Sequence, residues 1–206
     1  MQRVILPLVL IILAVSTVGS ANATIRDRGF YLSLGSVGVH FDLEDAARAD
    51  LAEAGVALGS NGNGGELLAG YRFGKYVSLG VRITGTELDT GHRDVDGGLG
   101  MFVFEVKGHL RPGQAIQPYV TGGTGGAAIF LDGGGFDGED ALEASLMNLG
   151  TGVDVNFAKH WTVSFDYRTS VMDFDRTVIP VDYRPHVAFD GSGFAHLMGF
   201  RATYRF

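Results

Sequence analysis

Histidine is the residue type to test first for chemistry, because imidazole serves both as a metal ligand and as a general base. The chain has six, at positions 40, 92, 109, 160, 186 and 196, and their spacing matches no H-x-x-x-H or similar metal-binding pattern. Cysteine is absent, so thiolate metal sites and disulfides are excluded. The glycine-rich run at 121–126 lacks the lysine of a phosphate-binding loop. The sequence therefore predicts neither a cofactor nor a metal centre.

Charged residues form the second group, and they alternate with bulky apolar residues along the chain. The alternation is clearest at 161–168 and 193–206. A period of two places the charged side chains of a strand on one face and its apolar side chains on the other. Six cations and four carboxylates share the charged faces: Glu66, Arg72, Arg82, Glu105, Lys107, Asp154, Asp166, Arg168, Arg201 and Arg205. Close packing of these groups predicts ion pairs or bound water.

Eight segments with this alternation are the elements that must position the charges. We predict strands near 29–41, 64–73, 76–88, 99–110, 117–131, 144–156, 161–174 and 193–206. After residue 23 no apolar run is long enough for a transmembrane helix, so a membrane location would require a closed barrel. Short links near 74–75, 112–113 and 158–160 alternate with long ones at 42–63, 89–98, 132–143 and 175–192. This is typical of transmembrane barrels with short periplasmic turns and long extracellular loops.

The face of the strands that points inward distinguishes a membrane barrel from a soluble one. A soluble barrel of the lipocalin type would enclose its apolar side chains. An eight-stranded barrel has room inside only for side chains, and ten charged groups cannot form a dry apolar core. We therefore predict an all-β, eight-stranded antiparallel transmembrane β-barrel with a salt-bridged polar interior. Two aromatic girdles are expected outside, at the short turns (Phe73, Tyr76, Tyr119, Phe157, Trp161, Tyr204, Phe206) and at the long loops (Phe41, Phe102, Phe130, Phe174, Phe194).

The amino-terminal segment predicts export. Arg3 precedes an apolar stretch at 4–15, and the small-residue triplet Ala21-Asn22-Ala23 follows. This pattern is typical of a secretory signal peptide cleaved after Ala23, and the apolar stretch is too short for a membrane anchor. We expect a cleavable signal peptide at 1–23 and one barrel domain at 24–206.

Several segments carry a family resemblance: 68–73 before the first short turn, 117–123, 150–157, and the last strand, which ends on Phe206. The chain resembles the eight-stranded outer-membrane barrels of the OmpA transmembrane-domain and opacity-protein type, over essentially all of 24–206. The resemblance implies the bacterial outer membrane, contact with outer-membrane lipid and lipopolysaccharide, and assembly by the barrel-assembly machinery, with Tyr204 and Phe206 as the assembly signal. No peptidoglycan-binding domain follows the barrel, so a cell-wall tether is not expected.

Three functions remain open at this point. We expect a structural or surface-interaction role, such as envelope integrity, adhesion or contact with a host ligand through the loops, and no nucleic-acid partner. A narrow pore for small solutes is the alternative, although charges crowd the interior. A lipid-modifying enzyme is the third, because His196 shares the lipid-facing side and the eighth strand must close against the first, which carries Ser36 and His40. No acid completes such a site, so enzyme activity is not expected.

The long loops are acidic. Segment 42–63 has five acidic residues against one arginine, and 132–143 has five acidic residues and no basic one. Binding of Ca²⁺ or Mg²⁺ at 137–140 is a hypothesis, although the EF-hand spacing is absent. Segment 43–58 is rich in alanine and predicts either a short helix over the barrel mouth or a solvent-exposed loop.

Overall fold

The strands close into one barrel. The computed structural model describes residues 28–45, 48–49, 52, 58–88, 95–133, 141–179 and 187–206. Each strand pairs antiparallel with its neighbours in sequence, and the first strand pairs with the last. The strands are β1 (Gly29–Leu43), β2 (Asn61–Arg72), β3 (Val77–Leu88), β4 (Val95–His109), β5 (Ile116–Gly133), β6 (Ala141–Asn156), β7 (Trp161–Ile179) and β8 (Val187–Arg205). The predicted all-β, eight-stranded antiparallel barrel is confirmed.

The strands extend beyond their predicted bounds at one end of the barrel. This upper end carries the connections 44–60, 89–94, 134–140 and 180–186, and the lower end carries 73–76, 110–115 and 157–160. β4 already begins at Val95, and β7 and β8 still pair at Ile179 and Val187. The links predicted at 89–98, 132–143 and 175–192 are therefore too long. Glycine and aspartate interrupt the side-chain alternation there, but backbone pairing continues through them because it does not depend on side-chain polarity.

Three features predicted from the sequence lie outside the described residues. They are the signal peptide at 1–23, the acidic run at 137–140 and most of the segment at 43–58. Among the residues that the structure does describe, no helix is long and apolar enough to cross a membrane.

Strict alternation separates the outer wall from the interior. On β3, the Arg82 side chain is 0% exposed whereas its neighbour Ile83 is 52% exposed, and on β6 Leu149 is 72% exposed. Large apolar side chains of this kind cover the outer face of all eight strands. An apolar surface this extensive requires lipid around it, because soluble monomers rarely expose contiguous apolar patches beyond a few hundred Å².

The interior has three levels. The lower two contain the charged residues, and the third, at the upper end, is an apolar cluster: Val37, Val39, Phe41, Leu43, Leu88, Leu99, Met101, Val103, Ala127, Ile129, Leu142, Ala144, Leu146, Met172, Phe174, Ala195 and Leu197. The prediction of a polar interior is therefore wrong for the upper level. Outside this level the wall carries exposed Asp42, Glu87 and Asp173. At this level the interior is apolar, and charged residues join the exposed aromatics Phe130 and Phe194 on the outer wall.

Three aromatic residues assigned to the girdles lie inside the barrel. Phe41, Phe174 and Tyr119 are 2%, 1% and 0% exposed. The assignment was wrong because position along a strand sets the height of a side chain but not its face, which depends on parity. Phe41 has the parity of inward-facing Val39, and Tyr119 has that of inward-facing Gln117.

Candidate functional site

Glu66 is the centre of a buried ion-pair layer that crosses the barrel. It lies midway along β2 and faces inward because its parity is that of Leu68 and Arg72. Arg82 Nη1 and Arg168 Nη2 donate to Glu66 Oε2 at 3.0 and 2.5 Å, and Arg201 Nη1 donates to Oε1 at 2.8 Å. One carboxylate therefore joins β2 to β3, β7 and β8 across the lumen.

Two further carboxylates complete this layer, which we call the central layer. Arg82 donates to Glu105 through both Nε, at 3.0 Å, and Nη2. Asp166 accepts from Arg168 Nε at 2.9 Å and from Arg201. Tyr119 donates its hydroxyl to Asp166 at 2.9 Å and accepts from Arg201 Nη2 at 3.0 Å. Three guanidinium groups thus balance three carboxylates, as buried charges require.

Glycines on the inner wall make room for the guanidinium side chains. A Cβ added to Gly35 would lie 2.5 Å from Arg201 Cγ, and one added to Gly150 would lie 2.5 Å from Arg168 Cγ. A Cβ at Gly199 would lie 2.9 Å from the Asp166 carboxylate. Glycine within these strands therefore serves close packing, which accounts for part of the high glycine content.

The lower chamber lies between the central layer and the lower end. It contains Arg72, Lys107, His109, Asp154 and Arg205, which line a cavity of about 20 Å³. Lys107 Nζ lies 3.3 Å from Asp154 Oδ1, and Arg205 lies 3.9 Å from Oδ2. Arg72 donates to the carbonyls of residues 74 and 75 in the adjacent turn, at 2.9 and 2.6 Å. The cavity suffices for a single water molecule.

All ten charged residues identified from the sequence are buried inside the barrel. Six belong to the central layer (Glu66, Arg82, Glu105, Asp166, Arg168 and Arg201) and four to the lower chamber (Arg72, Lys107, Asp154 and Arg205). The sequence analysis did not identify three further polar side chains of the interior, Tyr119, His109 and Ser164. Ser164 donates to Asp154 at 2.7 Å. Parity could have identified His109 and Ser164, which lie two residues from Lys107 and Asp166. β5 contains no predicted interior charge, so the sequence carried no such signal for Tyr119.

The arrangement has the chemistry of a structural plug. The ionised groups of the central layer neutralise one another, and the described residues contain no cluster of three or more histidine, cysteine or acidic side chains able to hold a metal. The central layer therefore fixes the strands relative to one another and fills the lumen.

The outer-wall histidines do not form the serine-containing site considered above. His40 pairs with His196 across β1 and β8, whereas Ser36 pairs with Phe200, four residues further along. Four residues of strand span about 13 Å, which places Ser36 outside hydrogen-bond reach of His196. His196 Nδ1 instead lies 2.9 Å from the Tyr167 hydroxyl and 3.2 Å from that of Thr169.

Tyr204 and Phe206 lie on the outer wall at the lower end. The Tyr204 ring is in edge contact with Trp161 and Phe206, with ring centroids 5.1 Å apart in both pairs. The backbone N–H of Phe206 donates to the Phe30 carbonyl at 3.0 Å, so the last residue closes the seam between β8 and β1. Both aromatics therefore stabilise the lower girdle, whatever part they take in assembly.

A closed barrel with an apolar outer wall and a charged, filled interior defines an integral membrane β-barrel protein. The chain matches the outer membrane protein beta-barrel domain family over residues 9–206, and it belongs to that family. The protein is therefore located in the bacterial outer membrane. Comparison with curated protein sequences gives no match.

Solved structures share the fold at low sequence identity. Neisserial surface protein A (NspA) is 15% identical, with a TM-score of 0.62 over 86% of this chain and 97% of that chain. Ail, the attachment invasion locus protein of Yersinia pestis, is 14% identical, with a TM-score of 0.55 over 88% of this chain and 100% of that chain. The outer membrane protein AlkL is 15% identical, with a TM-score of 0.54 over 88% and 92% of the two chains.

Proposed function

We propose that the protein is a closed outer-membrane barrel with a structural or surface-interaction role. The filled lumen is the observation that supports this proposal. The inward-facing side chains of the central layer are at most 2% exposed, and those of the apolar cluster at most 7%. Such a barrel anchors its upper connections at the cell surface, where they strengthen the envelope or contact another surface.

The filled lumen also argues against the rival role of a narrow pore. A solute passing the central layer would have to separate buried ion pairs, at a cost of about 3–5 kcal/mol for each pair broken. It would then have to displace the apolar cluster above. The cavity in the lower chamber, about 20 Å³, is large enough only for water.

We further propose that the protein is not an enzyme. His196 Nδ1 is occupied by the hydroxyls of Tyr167 and Thr169, and Ser36 is out of reach. His196 therefore cannot activate Ser36, the nucleophile that the sequence suggested at this place.

The negative charge of the upper connections indicates which surface ligands they can bind. Segment 42–63 has five acidic residues and one basic residue, Arg48, which pairs with Asp42 at 2.6 Å. Ail has been solved in complex with the heparin analogue sucrose octasulfate. Five carboxylates would repel such a polyanion here, so we propose that the upper connections bind cationic ligands, or polyanionic lipopolysaccharide only through bridging Ca²⁺ or Mg²⁺.

Two partners belong to the same proposal. Lipid and lipopolysaccharide would contact the apolar outer wall and its upper rim. The barrel-assembly machinery would recognise the last strand through Tyr204 and Phe206, which are both on the outer wall and accessible to another protein before insertion.

Single-channel conductance in a planar lipid bilayer tests the closed-barrel proposal. Refolded wild-type protein is expected to show no openings. The double variant Arg201→Ala/Asp166→Ala removes one guanidinium and one carboxylate of the central layer without changing its net charge, and it is expected to open at least transiently. Stable, ion-selective openings of the wild type would overturn the proposal in favour of a pore.

A further inference from the structure

A groove with several polar side chains in a mostly apolar lining interrupts the outer wall where the barrel closes. It has a volume of about 290 Å³, and its lining includes Gly38, His40, Asn61, Asn63, Tyr167 and His196. We call it the seam groove because it lies across β1, β2, β7 and β8. The rings of His40 and His196 are nearly parallel, with centroids 6.5 Å apart. The two imidazoles and two amides satisfy part of their hydrogen-bonding capacity within the groove, and lipid acyl chains cannot satisfy the rest.

The position of the groove along the strands places it at the level of lipid headgroups. Phe30 and Phe206 lie at the lower end, and ten residues separate them from His40 and His196 on β1 and β8. Ten residues of a strand tilted by about 40° rise about 25 Å, which is the height of the apolar band of an outer-membrane barrel. With the lower end in the periplasm, the groove therefore faces the headgroups of the outer leaflet.

Hydrogen bonds around the two rings leave their Nε2 atoms for a ligand. His40 Nδ1 donates to Asn61 Oδ1 at 3.0 Å. The Tyr167 hydroxyl lies 2.9 Å from His196 Nδ1; when this hydroxyl donates, the His196 proton is on Nε2.

The residues that line the groove carry no charge, and the exposed Glu87 lies opposite Asn63 at its β3 side. The chain has a formal net charge of −7, yet none of the residues lining the groove is acidic. Asp42, two residues above His40 on the same face, is paired with Arg48. Met198, 60% exposed, continues the groove downward into the apolar wall. Hydrogen-bond donors above an apolar surface match a phosphorylated headgroup above its acyl chains.

We propose that the seam groove binds the phosphorylated headgroup of an outer-leaflet glycolipid. His196 donates to a phosphate oxygen through Nε2, and His40 lies beside it and holds Asn61 in place. Asn63 contacts the sugar, and an acyl chain lies along Met198. Gly38 keeps the groove open: a Cβ there would meet only Asn63 Oδ1, at 3.6 Å, so a larger side chain would occupy the ligand's place without straining the backbone. The proposal depends on the outer-membrane location and does not depend on whether the lumen conducts.

Histidine NMR of the refolded full chain in phosphatidylcholine nanodiscs tests this proposal, with lipid A as the probe. Saturable shifts of the His40 and His196 Nε2 signals are expected with lipid A, and none with dephosphorylated lipid A. Inorganic phosphate alone should leave both signals unchanged. Equal shifts with inorganic phosphate would overturn the lipid assignment and identify a free-phosphate site.

Three variants separate binding from folding. His40→Gln/His196→Gln should weaken lipid A binding at least about tenfold, since hydrogen bonds to charged groups are involved. Gly38→Leu should abolish binding while both histidines remain. His160→Gln is the matched control, because His160 lies at the lower end beside Tyr204 and should leave binding unchanged. Unchanged lipid A affinity in the first two variants, with heat-modifiable mobility on gels showing a folded barrel, would refute the proposal.

Discussion

The central layer makes Glu66 the most sensitive position of the interior. Glu66→Gln keeps the size of the side chain but replaces one acceptor oxygen with an NH₂ group that faces guanidinium donors. Three arginines lose their shared carboxylate, and Glu105 and Asp166 remain to balance them. Removing one partner of a buried ion pair costs about 3–5 kcal/mol, so we expect a loss of about 5 kcal/mol in the free energy of unfolding.

Urea unfolding in phospholipid vesicles measures this loss, with the single tryptophan, Trp161, as the fluorescent reporter. Glu87→Gln is the control: Glu87 lies on the outer face of β3, and its loss should change stability by less than about 0.5 kcal/mol. Adding Arg168→Met to Glu66→Gln restores the charge balance and should recover at least about 2 kcal/mol. A Glu66→Gln variant within about 1 kcal/mol of wild type would refute the proposed role of the layer.

Three further predictions concern the wall. Trp161 is 44% exposed and belongs to the lower girdle, so brominated lipids should quench its fluorescence most strongly when the bromine lies near the headgroup. Strongest quenching by bromine at the bilayer centre would contradict this. Gly125→Ala should lower the free energy of unfolding by at least about 2 kcal/mol, because the added Cβ would lie 1.8 Å from a carbonyl oxygen of β4. Gly85→Ala is the control and should be nearly neutral, because nothing lies within 4 Å of its added Cβ. Similar urea midpoints for the two variants would disprove the packing argument. Tyr204→Ala/Phe206→Ala should lower the amount of barrel assembled in cells more than the yield of refolding in detergent, and equal losses would indicate a packing role alone.

Parity is the part of the structure that the sequence predicts well. Alternation on β7 and β8 is regular enough to assign Asp166, Arg168, Arg201 and Arg205 to the interior, where the structure places them. It cannot predict which charges meet, because Glu66 and Arg201 are 135 residues apart in sequence and their contact depends on the stagger of the closed barrel.

The upper level could not be predicted by the same reasoning. Leu197 has the parity of Arg201 on β8 and Phe174 that of Arg168 on β7, yet both are apolar. The argument that charges exclude an apolar core applies to each height separately, and the sequence alone does not show where the surroundings of the wall change from lipid to water. Charged outward residues such as Asp173 mark that change, and they become interpretable once the register of the strands is known.

Accessibility of a cysteine placed in the lumen tests the closed interior most directly, since the chain has no cysteine of its own. Ala127→Cys lies in the apolar cluster and Asp45→Cys lies exposed at the upper end. In detergent micelles a water-soluble maleimide should label Asp45→Cys completely and Ala127→Cys only after unfolding. Labelling of folded Ala127→Cys at a rate close to that of Asp45→Cys would reveal a water-filled lumen and contradict the closed barrel.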